Sequence, residues 1–178
     1  MKVRQLERIL AMHGAPASFL DTVTRSLRAE GRLPIGGRGV NAPDIGPDEA
    51  AWVMIGLAAT DVAAQAALRF ALQLELALPE GASPRHARNF VDAVQALLGS
   101  PETAWEVWEI RVGRSHNFSQ IVYRDGHVEP FVLPNVPLSK ATSVGSMAFR
   151  SEGIISGGLL HQVAIDLSEP QNLVGLVD

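Results

Sequence analysis

The sequence predicts an α+β fold, with a helical first part and a β-rich second part that begins near Ser100. Three observations predict it. Apolar residues recur at three- and four-residue spacings up to Leu98. Runs rich in β-branched and aromatic residues follow, WEVWEIRV (105–112) and FSQIVYR (118–124). The pair Asp125-Gly126 then stands between IVYR and HVEPFV, where a two-residue hairpin turn belongs. At 178 residues, 47% hydrophobic and 19% charged, the chain has the composition of a folded protein with one good-sized domain or two small ones.

The elements follow in order. Residues 2–12 form a short helix, with Val3, Leu6, Ile9 and Leu10 on one face. His13-Gly14-Ala15 is a turn, and Pro16 suits the first turn of the next helix, where its missing N–H is not needed. That second helix runs to about Glu30. It buries Phe19, Leu20, Val23 and Leu27 and offers Ser18, Thr22, Arg25, Ser26 and Arg28 on its other side and edges. Gly31 stops it, and residues 33–46 are too rich in Gly and Pro for a regular element. Pro47-Asp48-Glu49 opens a third helix, with acids where the helix dipole favours them. A fourth runs over 62–78 and is apolar nearly all round, which places it in a core or against a second subunit. A fifth starts at Ser83-Pro84 and ends at Gly99. Beyond the hairpin, Pro134–Lys140 reads as loop, GSMAFR (145–150) as strand, and LLHQVAIDL (159–167) as a strand or a closing helix.

Composition excludes several kinds of chemistry. There is no cysteine, hence no disulfide, zinc-thiolate site or thiol nucleophile. MKVRQLERIL is too charged for a signal peptide. The most apolar run, residues 50–78, is broken by Asp61, Arg69 and Glu75, short of the about 20 uninterrupted apolar residues of a membrane helix. A cytoplasmic protein with no membrane partner is expected. His13, His86, His116, His127 and His161 are scattered without ligand spacing. Ser115-His116 lacks a nucleophile elbow, and Glu106 and Glu109 point to opposite faces of a strand. GGRG lacks the Lys-Ser/Thr ending of a phosphate-binding loop and follows no predicted strand. No catalytic residue, metal or cofactor is expected, and the chain is not read as an enzyme.

Charge is divided along the chain. Met1 to Pro43 carries seven Lys or Arg against three acids, a balance of +4, and the remainder carries eight against sixteen, a balance of −8. A basic first segment on an acidic protein is the footprint expected of a phosphate-binding surface, because affinity follows local rather than net charge.

In RSLRAEGRLPIGGRG (25–39), a helix with a basic outer side runs into a Gly-rich loop that carries Arg38. The order helix, tight turn, basic helix, Gly-rich loop, third helix resembles a winged helix-turn-helix. The segment TVTRSLRAEGRLPIGGRG is similar to MerR-like and excisionase-like DNA-binding domains, frequent in phage and prophage proteins. Thr22–Arg25 supplies the core of a recognition helix, Gly31–Pro34 its exit, and Arg38 the wing. The likeness covers about residues 3–60 and departs at Arg32, where the family usually has an apolar residue. The metal or drug sites of MerR regulators have no counterpart in the second half. The resemblance implies a DNA-binding domain over 1–60, and the chain's own patterning adds a helical core or oligomerisation region over 61–99 and a β-rich domain over 100–178.

A recognition helix needs polar groups on its free side, and Thr22, Arg25 and Ser26, with Ser18, are placed to reach base edges. Arg28 and Arg32 are placed for phosphate contacts, while Gly36, Gly37, Arg38 and Gly39 let the wing approach the backbone or minor groove. The expected partners are double-stranded DNA and further copies of the chain, as a homodimer or higher homo-oligomer, with a protein partner available to the C-terminal half. A regulator of transcription is the leading expectation. A phage small terminase subunit stays open, because that family also joins an N-terminal helix-turn-helix to central helices and a β-containing C-terminal part. So does a protein-interaction adaptor that has lost DNA binding, because Arg25 and Arg28 could simply pair with Asp21 and solvent, and GGRG could be a loop without a partner.

Overall fold

Two short amphipathic helices open the chain, α1 (Val3–Met12) and α2 (Ala17–Ala29), each with one apolar face turned inward. The computed structural model describes residues 1–36, 41–115, 117–136 and 151–169. Next comes α3 (Pro47–Ala58), where Gly46 N–H donates to the Glu49 carboxylate at 2.9 Å and so secures the start. α4 (Ala66–Leu74) follows a single 3-10 turn, then α5 (Phe90–Leu98) and α6 (Pro101–Trp105). Strands β1 (Val107–Gly113), β2 (Phe118–Tyr123), β3 (Val128–Val132) and β4 (Glu152–Ser156) form an antiparallel sheet in the order β3-β2-β1-β4. α7 (Gly157–Ser168) is the last described element. The expected mixed α+β character, helices first and strands after, holds at that level.

Helices and sheet share one core. Leu6, Leu10, Leu27, Met54, Phe70 and Phe90 belong to the same buried cluster as Ile110, Ile121, Phe131, Ile155 and Leu160. α3 is buried over most of its surface because small residues line it: Ala50, Ala51, Gly56 and Ala58 let neighbouring backbone come close. The closest approach is at Gly153 on β4. A Cβ there would stand 2.0 Å from the Ala58 carbonyl oxygen, so only glycine fits. Polar links reinforce the joint between α4 and the sheet. The Ser119 hydroxyl donates to Gln73 Oε1 at 2.7 Å, and Gln73 Nε2 donates to the Gly113 carbonyl at 3.2 Å.

Several expected elements differ. The helix expected over 62–78 is α4 alone, because backbone pairing of Ala77 with Val132 pulls the chain after Leu74 into an extended path. Nor is it buried all round: Ala66, Phe70 and Gln73 face inward while Leu68 and Leu72 face out. The helix expected from Ser83 begins at Phe90, since Leu78 N–H donates to the Arg88 carbonyl and holds the intervening residues in a loop. Pro16 precedes α2 rather than lying in its first turn. The hairpin at Asp125-Gly126 has a longer loop than two residues: Tyr123 N–H meets the His127 carbonyl, and Gly126 takes a φ of 86° between them. Of the two alternatives for LLHQVAIDL, the helix is the one observed, started by Ser156 Oγ accepting from Leu159 N–H. The sequence reading missed β4, and GSMAFR lies outside the described residues.

Candidate nucleic-acid interface

α1 and α2 bury Val3, Leu6, Ile9 and Leu10 on one helix and Leu20, Val23, Thr24 and Leu27 on the other. Their remaining faces flank a groove of about 850 Å³, closed on one side by the Gly- and Pro-rich segment at Pro34, Ile35, Gly36, Ala42 and Pro43. Arg4 and Arg8 reach it from α1 and Arg28 from α2. The two α1 arginines lie one helical turn apart, on the same face.

Charge in the groove is unbalanced in a specific way. The guanidinium groups of Arg4, Arg8 and Arg28 have no ion-pair or hydrogen-bond partner among the described residues. The two carboxylates that line the groove are occupied. Glu7 accepts a hydrogen bond from the Thr24 hydroxyl at 2.9 Å, and Asp21 pairs with Arg25 at 2.7 Å. Lys2 binds Asp44 at 3.1 Å and anchors the start of α1 to the loop before α3. What the groove offers an incoming group is therefore three unpaired, permanently charged donors. Such donors match phosphate oxygens in charge and geometry.

The residues singled out from the sequence fall into distinct settings. Ser18 is exposed at the start of α2, and its carbonyl accepts from the Thr22 hydroxyl at 3.0 Å. Arg25 is 67% exposed and held by Asp21. Ser26 is turned toward α4, where its hydroxyl lies 3.5 Å from the Ala64 carbonyl and accepts from Ala67 N–H at 3.4 Å. That contact makes it a link between helices, not a free group on an open face. Arg32 is likewise drawn inward, its guanidinium 5.9 Å from the Trp52 ring centre and 5.7 Å from that of Phe70. This explains an arginine at a position where an apolar residue was expected: its cation sits within cation–π range of both rings. Gly36 is exposed and faces Pro43, whose Cδ would be 2.7 Å from any added Cβ. Gly37, Arg38 and Gly39, the expected wing tip, lie outside the described residues. Of the described residues in the expected set, only Arg28 and Gly36 line the groove.

Arg4 and Arg8 were missed. Their signal was present in MKVRQLERIL, where two arginines four apart lie opposite Leu6 and Leu10, but nothing local says that α1 and α2 present them together.

A second concentration of titratable groups closes on itself. Buried Glu129 accepts from the Tyr123 hydroxyl at 2.6 Å and from Arg85 N–H at 2.7 Å. Burial and that carboxylate together push the Tyr123 phenol well above its usual range. Arg85 stacks on the same ring and pairs with Asp125, whose carboxyl is held below its ordinary value by that hydrogen bond. These contacts join the loop before α5 to the β2–β3 hairpin. Among the described residues, no three His, Asp or Glu side chains gather as a metal site. No described helix is long and apolar enough to cross a membrane. The chain matches no protein family, no curated protein and no solved structure.

Proposed function

We propose that this protein binds double-stranded DNA through the α1–α2 groove and acts, without catalysis or a cofactor, as a sequence-specific regulator of the phage or prophage type. One observation carries the proposal: three arginines from two helices, without a partner among the described residues, line one groove in the segment of the chain that is positive overall. Arg4, Arg8 and Arg28 supply the sequence-independent hold on phosphates. Arg25 supplies discrimination, because its pair with Asp21 is exposed on both sides and exchanges at little cost for a guanine edge.

The inward settings of Ser26 and Arg32 favour one competitor, a protein-interaction adaptor with a helix-turn-helix that has no use for DNA. Fluorescence anisotropy of a labelled duplex from the gene's own upstream region, against a scrambled duplex at two salt concentrations, separates the two. Binding with a preference for the upstream duplex that survives added salt is the expected result. Absence of binding to either duplex at low salt overturns the proposal and leaves the adaptor.

A further inference from the structure

Leu68 and Leu72 lie on the outer face of α4, and the flanking residues Gln65 and Glu75, at its two caps, continue the line at spacings of three, four and three; all four are exposed. Such spacing lays them in one line along the helix. Leu68 is 64% exposed, and Val62 and Leu74 flank the line with further open apolar surface. Arg69 stands half-buried beside it, so Glu75 is the one charged side chain in the line itself. A surface helix normally turns polar residues outward, so this order needs a cover.

We infer that α4 is the contact by which two copies of this chain pair, antiparallel, about a two-fold axis between Leu68 and Leu72. The order of the line is self-complementary in one direction only. In an antiparallel pair Leu68 of one copy meets Leu72 of the other, and the amide of Gln65 meets the carboxylate of Glu75, a donor against an acceptor. A parallel pair sets Glu75 against Glu75, which is repulsive. α4 is nine residues long, about 13 Å, so the contact is small and the pairing equilibrium is sought at about 1–100 μM. The pairing stands independently of what the groove binds. Because Ser26 ties α2 to the start of α4, it also gives the dimer two α1–α2 grooves related by symmetry.

Sedimentation equilibrium of the full chain over that range tests the inference. A mass moving between 19.1 kDa and twice that value is expected. Leu68→Glu and Leu72→Glu, both at exposed positions, should raise the dissociation constant at least about 100-fold, since each buries a carboxylate against leucine. Gln65→Glu should weaken pairing by placing two carboxylates together, and Gln65→Glu with Glu75→Gln should restore it. A chain that stays at 19.1 kDa throughout, a closed ring of many copies, or a dimer indifferent to Leu68→Glu and Leu72→Glu overturns the inference.

Discussion

Arg25 and Arg28 are three positions apart on the same helix, yet one is paired with Asp21 and the other has no partner among the described residues. The difference follows from where each side chain can reach. Asp21 precedes Arg25 by one turn and is as exposed as it is, giving an ion pair worth at most about 1 kcal/mol. Arg28 leans instead toward α1, whose own outward charges at Arg4 and Arg8 are positive. A sharper contrast is Tyr123, the only tyrosine in the chain, buried and donating to Glu129. Its phenol is raised above the ordinary value of about 10, so above that pH the unfolded chain loses a proton the native chain keeps. Native stability must then fall as pH rises past about 10, and tyrosinate absorbance should appear only with alkaline unfolding. A reversible tyrosinate titration near pH 10 in protein that remains folded by circular dichroism would contradict the buried pair.

At the scale of elements, β4 shows what a near-contact requires. Its Gly153 touches the end of α3, with no room for a methyl group beside the Ala58 carbonyl. Gly158, in the first turn of α7, has nothing within 4 Å of an added Cβ and no unusual backbone angle. Gly153→Ala should therefore lower stability by about 3 kcal/mol, the upper end for overpacking. Gly158→Ala should be neutral or stabilise by up to about 1 kcal/mol through the unfolded chain. Urea unfolding of the two variants beside the parent makes the comparison, and equal midpoints would show that α3 and β4 are not in contact. α4 is the opposite case. Its inner residues Phe70 and Gln73 tie it to core and sheet, which leaves an outer line with Leu68 and Leu72 exposed among the described residues.

For the whole molecule, net charge is −4, but the positive balance of +4 before Pro43 and the negative balance after it oppose each other along the chain. If the groove binds a duplex, the acidic remainder repels it wherever the basic groove is not facing it, which would orient approach. If the groove holds phosphates, the slope of log affinity against log salt should shallow by about one for each of Arg4→Ala, Arg8→Ala and Arg28→Ala. Arg25→Ala should leave that slope near its parent value while narrowing the gap between upstream and scrambled duplexes. Identical slopes in all four variants and the parent would remove the groove from the interface.

How much of this was legible follows from the range of each interaction. Apolar spacing, the start at Pro47-Asp48-Glu49 and the Asp125-Gly126 turn are all local signals, and together they were enough to place α1, α2, α3, the hairpin and the order of helices before strands. The positive first segment was equally plain, since charge adds along a sequence whatever its shape. Element ends were less so. Pairing of Ala77 with Val132, 55 positions later, shortened α4, and no local pattern contains that contact. Tertiary structure alone decided which polar groups are free. Ser26 and Arg32 have the composition of a binding face, but α4 and the Trp52–Phe70 pair draw them inward. Arg4 and Arg8 join Arg28 only because the turn at His13–Pro16 folds α1 beside α2. The sequence by itself determined the first three helices, the hairpin strands and the sign of charge at the N-terminal end. The fold decided which arginines share a groove, because the facing of one helix toward another is set by contacts distant in the chain.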